Sequence, residues 1–307
     1  MEKLNQITIN FQVPLLLLIF NRPDTTVKVF NSIRKFEPRK LFIACDGPRH
    51  NNKTDLENVQ QVRNYIIDAI DWQCDVHTLF REKNLGCKIA VSSAIDWFFD
   101  HNEMGIILED DCVPHLSFFK FCEELLIKYK DEKQVMQISG YNAMNRVSLK
   151  ESYYFAKFGP IWGWASWRRA WKHYDVQMKA WEKTTANELN SEYCDSRLEA
   201  LWRIRTYNKI YRGEINTWDY QWSFAKLINK GLSIIPFNNL VYNIGFGENA
   251  THTKNLVHQK IQNNIGINFP LQHPEKIMRN KKLDKKYFNQ IILKGYLNGI
   301  INKIMGK

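Results

Sequence analysis

Three consecutive acids, Glu109-Asp110-Asp111, directly follow the apolar run Gly105-Ile106-Ile107-Leu108. A buried strand ending this way sets two or three carboxylates side by side, and their repulsion is costly without a counter-cation. A hard divalent ion such as Mg²⁺ or Mn²⁺ relieves it, held by a carboxylate together with substrate phosphates. The competing reading is a solvated acidic turn leading into a helix expected from about His115. The position directly after a buried strand favours the metal.

The elements that must hold this triplet are legible in the flanking sequence. Residues 13–20 form a continuous apolar run, broken by Asn21-Arg22-Pro23-Asp24. Asp24 or Thr25 suits the cap of a helix to about Phe36, with Val27, Phe30 and Ile33 at helical spacing. A second apolar run, 41–45, ends in Asp46-Gly47-Pro48, and a helix over 56–70, a strand over 75–80 and a helix over 87–99 follow. Strands too apolar for a half-exposed sheet, alternating with helices, predict an α/β fold with a mainly parallel sheet covered on both faces. In such sheets ligands sit at the carboxyl ends of the strands. Asn21-Arg22, Asp46 and Glu109-Asp110-Asp111 fall there.

Composition excludes other classes. With 307 residues, 44% hydrophobic and 24% charged, the chain is neither disordered nor fibrous. No stretch reaches the ~20 apolar residues that cross a bilayer. The first residues show no basic region followed by an apolar one, so no secretory signal is expected and a cytoplasmic setting is. The six cysteines include no Cys-x-x-Cys pair, which argues against a zinc site or a disulfide framework.

The net charge of +11 is concentrated at the end of the chain. Residues 276–307 carry nine Lys/Arg against Asp284 alone, +8 of that total. Leu283, Tyr287, Phe288, Ile291 and Ile292, then Leu297, Ile300, Ile301 and Ile304, recur at helical spacing among the lysines. A basic amphipathic helix of this kind suits an anionic membrane surface, against the alternative of a helix docked on the body with its lysines solvated.

The order of these pieces resembles the nucleotide-sugar-binding half of GT-A glycosyltransferases. The resemblance is to family 2-like bacterial enzymes and to the N-acetylglucosaminyltransferase I type, which also carries Glu-Asp-Asp. It runs from the first strand and Asn21-Arg22-Pro23 through Asp46, Arg81-Glu82-Lys83-Asn84-Leu85-Gly86 and Glu109-Asp110-Asp111. It continues in Gly159-Pro160-Ile161-Trp162-Gly163-Trp164, Trp218-Asp219-Tyr220-Gln221-Trp222 and Asn243-Ile244-Gly245-Phe246-Gly247. It covers about residues 13–253 and leaves the C-terminal segment without a counterpart. The organisation it implies is a nucleotide-sugar-binding half over 1–150, an acceptor and catalytic-base half over 151–274, and a basic tail over 275–307.

The resemblance also implies roles. Asn21 and Arg22 contact the nucleotide, and Asp46 accepts hydrogen bonds from its base, against plain turn formation for an Asp-Gly pair. Arg81, Asn84 and Gly86 open a helix whose N-terminus suits a diphosphate. Glu109 and Asp110 face ribose and sugar hydroxyls, and Asp111 binds the metal that neutralises the leaving group. Asp219 is the general base of a direct, inverting displacement, its alternative being a helix-capping Asp. Trp162, Gly163 and Trp164 form the acceptor side. The two tryptophans alternate as strand neighbours, so one lines the site while the other is core. Trp167, Trp171 and Trp181 are expected in the core. His252, in a Gly-containing loop, reaches the diphosphate or metal, against a plain loop histidine.

The resulting expectation is an inverting, Mn²⁺- or Mg²⁺-dependent glycosyltransferase. It moves a sugar from a nucleoside diphosphate, UDP favoured, to a bacterial surface glycan, lipid-linked or otherwise, at the cytoplasmic membrane face, with no nucleic acid as partner. A nucleotidyltransferase would use a similar sheet, but no Gly-rich phosphate loop follows the first strand. A glycoside hydrolase needs no nucleotide. A non-enzymatic binder of anionic polymers explains the tail and not the acidic triplet.

Overall fold

The computed structural model describes residues 13–144, 150–245 and 266–298. In chain order the strands and helices are β1 (Leu15–Ile19), α1 (Pro23–Arg34), β2 (Lys40–Cys45), α2 (Lys53–Asp68), β3 (Asp75–Phe80), α3 (Gly86–His101) and β4 (Met104–Glu109). They continue with β5 (Cys112–Pro114), α4 (Leu116–Lys128), β6 (Val135–Ser139), β7 (Tyr153–Ala156), β8 (Trp164–Trp167) and α5 (Arg168–Trp171). The single turn α6 (Ala186–Glu188), α7 (Arg197–Tyr211), α8 (Asp219–Ile228), β9 (Leu232–Pro236), β10 (Val241–Asn243) and α9 (Lys281–Tyr287) complete them.

Eight strands form one sheet in the order β3-β2-β1-β4-β8-β6-β9-β7, flanked by helices. The first four are mutually parallel. β8 enters antiparallel to both β4 and β6, β6 runs parallel to β9, and β7 closes the edge antiparallel to β9. Strands from both sequence halves therefore share one sheet, with β8 hydrogen-bonded directly to β4. A linker between the halves is neither present in the composition nor needed.

β1 explains the two-faced burial. Its five apolar residues are all buried. Leu15, Leu17 and Ile19 point into the layer with Phe30 and Ile33 of α1 and Phe118 of α4. Leu16 and Leu18 point to the other side, against Phe98 of α3 and Trp164, Trp218 and Trp222. This is the period-2 alternation of a strand covered on both faces. Trp167, Trp171 and Trp181 are all buried, as expected for core residues.

Two local expectations need correcting. α1 starts at Pro23, with Arg22 at the N-cap and no side-chain cap, so neither Asp24 nor Thr25 plays that part. Proline is favoured at the first helical position because its missing N–H would be unpaired there anyway. The second correction concerns the basic segment, whose described part is docked on the body. Leu283 packs with Tyr154 and Ile235, and Tyr287 stacks on Phe158 at 5.1 Å. The buried Asp284 carboxylate accepts from the Lys157 amide at 3.1 Å and from Arg279 Nε at 2.6 Å. Lys281, Lys282, Lys285 and Lys286 remain exposed. The first apolar turns are thus spent on the protein itself, and membrane contact through that face gains no support. No helix among the described residues is long and apolar enough to cross a membrane.

Candidate functional site

The carboxyl ends of β1, β2 and β4, together with the first turn of α8, enclose a cleft of about 1520 Å³. Asn21, Arg22, Asp46, Arg81, Asn84 and Gly86 line it on one side, and Glu109, Asp110 and Asp111 at the end of β4. Trp162 and Asp219 reach it from the second half. Two of the residues singled out in the sequence do not line it. Trp164 is fully buried in the core and stacks on Trp218 at 5.8 Å. Gly163 lies beneath the surface with φ +60, where a Cβ would come within 2.6 Å of Val241. Trp162 faces the cleft and Trp164 the core, but not by strand alternation: β8 begins only at Trp164, and the chain turns at Gly163 with φ +60. His252 lies outside the described residues.

The acidic triplet is held by β1 on one side and a small second sheet on the other. Asp110 accepts from the Phe20 amide at 3.1 Å and lies 3.5 Å from Arg22 Nη1. Asp111 Oδ2 accepts from Arg22 Nη1 at 2.9 Å, and its Oδ1 accepts from Asn243 Nδ2 at 3.1 Å. Asn243 arrives through the antiparallel β5–β10 ladder, in which it pairs with Cys112. Next along, Gly245 packs so closely that a Cβ there would sit 2.1 Å from Asp111 Oδ2. Sequence spacing holds no signal for Asn243 as a partner of Asp111, because the two are joined only by a three-residue ladder across 132 positions.

The electrostatics are those of a site short of positive charge. Burial drives the Glu109 carboxyl well above its ordinary pKa, and Asp111, Asp110 and Asp219 push the same way against Arg22. Burial also raises Asp110 to about 7, although Arg22 and the Phe20 amide favour its ionised form. Glu109 Oε1 is shielded from solvent and has no hydrogen-bond partner among the described residues. Arg22 stays protonated because Asp110, Asp111 and Glu109 together outweigh its own burial.

This donor set fits a hard divalent cation in one specific way. No group of three His, Cys, Asp or Glu side chains is arranged to hold a metal among the described residues. An all-protein cage is therefore not what they build. Carboxylate oxygens with one orphaned buried acceptor suit a cation bound by one or two carboxylates and by the phosphates of a ligand.

The helix expected to cradle a diphosphate is organised differently. Asp46 spans the gap from β2 to α3: its carboxylate accepts from the Leu85 amide at 3.0 Å and the Gly86 amide at 3.1 Å. It also accepts from the Gly47 amide at 3.0 Å. The first N–H groups of α3 are thus met by a protein carboxylate, and Gly86, at φ +75, lets the chain turn into the helix. Asn84 Nδ2 donates to the Gly47 carbonyl at 2.8 Å and Arg81 Nη2 to Ser93 at 2.8 Å, which fixes the rest of that turn. Asn21 Nδ2 donates to Asp55 at 2.6 Å, so Asn21 is oriented by α2.

Asp219 is the first residue of α8, and Trp218 occupies the N-cap without capping through its side chain. An acid in the first turn complements the helix dipole. The Thr217 hydroxyl donates to Asp219 Oδ1 and so orients its carboxylate. The loop before it is tied to α3 by Asn216, whose Oδ1 accepts from the Lys88 amide at 3.0 Å. Thr217 and Asn216 were not legible as site residues, since Thr and Asn before a helix read as ordinary capping signals.

No protein-family model and no curated protein matches this sequence. Among solved structures, the chain is similar to the mannosyltransferase PcManGT from Pyrobaculum calidifontis in complex with GDP-Man and Mn²⁺, at TM-score 0.38 and 11% identity. That match covers 71% of this chain and 69% of the other. HddC from Yersinia pseudotuberculosis complexed with GMP-PN follows at TM-score 0.31 and 8% identity, covering 52% and 78%. A UDP-glucose pyrophosphorylase complexed with UDP-glucose matches at TM-score 0.32 and 13% identity, covering 71% and 98%. At these scores the likeness carries no functional assignment, which falls to the geometry of the cleft.

Proposed function

We propose that this chain is an inverting, divalent-cation-assisted glycosyltransferase that moves a sugar from a nucleoside diphosphate, UDP favoured, to a glycan hydroxyl. One observation carries the reading. Glu109, Asp110 and Asp111 share a single cleft with Asp219, and Arg22 is the cation beside them. So acidic a pocket repels a bare anion and suits one that arrives with a divalent cation, as a nucleoside diphosphate does.

In this reading Asp111 would hold Mn²⁺ or Mg²⁺ together with the donor's phosphates. The bound ion supplies charge neutralisation to the departing diphosphate, so that the nucleotide leaves without being protonated. Asn21, Arg22 and the Asp46 turn hold the nucleotide, and Glu109 and Asp110 meet hydroxyls of the ribose and the transferred sugar. Trp162 presents an aromatic surface to the apolar C–H face of a sugar. Asp219, oriented by Thr217, takes the proton of the attacking hydroxyl as its oxygen bonds to the anomeric carbon. The bond from that carbon to the diphosphate oxygen breaks on the opposite side, and configuration inverts.

Melting temperatures measured with UDP, GDP and their sugars, first with Mn²⁺ and then with chelator, test the reading. A ligand that binds only the folded state must raise the melting temperature. A rise with one nucleotide that disappears with chelator is the expected result. No rise with any nucleotide or sugar would overturn it.

A further inference from the structure

A second groove, of about 700 Å³, lies beside the cleft, between α7 and the helical segment that follows α9. Trp202, Arg205 and Lys209 of α7, with Arg212 at its C-cap, line one wall, and Ile291 and Ile292 the wall opposite. The α7 residues fall on one stripe of that helix, at spacings of three and four. Ile215 and Tyr220 line both the groove and the cleft, and Tyr220 directly follows Asp219. The groove therefore opens beside the proposed base.

Its chemistry is opposite to that of the cleft. Three basic side chains face one carboxylate, Glu214, which is 3.9 Å from Arg212. Arg205 reaches the Tyr296 hydroxyl at 3.3 Å, and neither Arg205 nor Lys209 has a carboxylate partner among the described residues. Trp202, Ile215, Ile291 and Ile292 supply its apolar lining, and Leu198 and Leu201 extend the same α7 face at 58% and 49% exposure. A purely apolar ligand leaves the cations unused, and a bare glycan, though it could stack on Trp202, leaves the isoleucines and the cations' charge unused. A ligand with an anionic group next to a hydrocarbon chain uses both.

We propose that this groove binds the aglycone of the acceptor, an apolar chain joined to the acceptor sugar through a phosphate or diphosphate. The proposal rests on the glycosyltransferase reading of the cleft. The acidic cleft repels the anionic linkage and the basic groove attracts it, so the sugar end is directed toward Asp219 and the chain end along α7. The groove shares Ile215 and Tyr220 with the cleft beside Asp219, which favours a substrate over a bilayer as its occupant.

The test titrates the full-length protein with geranyl diphosphate, using inorganic pyrophosphate and decyl maltoside as comparators. Geranyl diphosphate should bind about tenfold more tightly than either, the sum of a few modest charge contacts and a buried chain. Two variants should each weaken it about tenfold: the triple change Arg205→Ala, Lys209→Ala, Arg212→Ala on one wall, and Ile292→Asp on the other. Their melting temperatures, read in parallel, establish that they are folded. Unchanged affinity in both folded variants would overturn the proposal, because the probe would then sit elsewhere, the donor cleft included. Pyrophosphate binding as tightly as geranyl diphosphate would overturn it in favour of a simple anion site. Sedimentation with phosphatidylglycerol vesicles, lost in the triple variant while geranyl diphosphate fails to bind, would replace it with a membrane surface. The nucleotide melting experiment reads the cleft alone, so failure of the donor reading and failure of the groove are separately visible.

Discussion

Arg22 at the end of β1 and Asp111 after β4 form an ion pair at 2.9 Å across 89 positions of sequence. The pair joins two neighbouring strand ends of the parallel half-sheet and sets the charge of the cleft between them. Asp111 is also the residue assigned to the divalent cation in the proposed reaction. In the proposed reaction a cation held by Asp111 would compete with Arg22 for that carboxylate, which would leave the guanidinium to meet the donor's phosphates. The ion pair is in this view the resting partner of a carboxylate that changes partners.

A double-mutant cycle tests that coupling. Without added cation, Arg22→Ala should lower stability, and Asp111→Asn sets loss of the pair against relief of its repulsion with Glu109. The double variant should be more stable than the sum of the two single effects by about 0.5–3 kcal/mol, the range for residues in one ion-pair network. Urea unfolding of the four proteins measures it. Additive effects would mean that the pair contributes nothing, and that Asp111 is held by its other partners, Asn243 and Cys112.

Asp219→Asn separates chemistry from binding. An amide keeps the shape and the hydrogen bond from Thr217 but accepts no proton, so turnover should fall about 10²–10⁴-fold, the worth of a positioned general base. Stabilisation by the donor nucleotide should persist, since Asp219 is assigned to the acceptor side. Normal turnover in this variant would remove Asp219 as the base, and with it the reason for an inverting outcome.

The site was legible where chemistry is local to a strand end. The apolar run of β1 and the acids after β4 identify themselves because a strand buried on both faces has no room for polar residues, and these appear where it stops. The opposite fates of Trp162 and Trp164 were expected for the wrong reason, because the strand starts at Trp164 and a left-handed turn at Gly163, not a period of two, separates them. Asn243 and Gly245 were not, since their relation to Asp111 depends on the long-range β5–β10 ladder. The docked start of the basic segment was misjudged for a related reason. An apolar helix face looks the same whether it meets a membrane or Tyr154, Phe158 and Ile235.

Gly245→Ala isolates the importance of close packing around Asp111. A Cβ there comes within 2.1 Å of Asp111 Oδ2 and 2.8 Å of Asp111 Cγ, so either the carboxylate or the loop must move. Overpacking of this kind costs about 1–3 kcal/mol, and displacement of Asp111 should weaken cation-dependent nucleotide binding. Gly213→Ala is the control: it meets nothing within 4 Å, and its φ of +74 makes it strained for backbone reasons only. Nucleotide stabilisation that survives Gly245→Ala would mean that Asp111 does not need its present position.

Lys226 of α8 gives a pH signature outside the cleft. Its Nζ donates to Gln137 Oε1 at 2.5 Å and Ser233 Oγ at 2.9 Å, and no ion pair to it exists among the described residues. Burial, and then repulsion from Arg203, lower its pKa to about 7 from the ordinary 10.5. Between those values the unfolded chain holds a proton that the folded protein does not. The unfolded state therefore binds more protons, and stability rises with pH across that window, by up to about 1.4 kcal/mol per pH unit for one proton. Below pH 7 both states carry the proton, so the slope from this group vanishes and the folded protein bears the full cost of a buried ammonium. Lys226→Met keeps most of the volume and removes the titration, while Gln137 retains its hydrogen bond from Trp222 at 2.9 Å. Urea unfolding at half-unit steps from pH 6 to 10 should show a rising stability curve for the unaltered protein and a flatter one for the variant. Parallel curves would mean that Lys226 keeps its proton in the fold, with Gln137 and Ser233 sufficient to hold a buried charge.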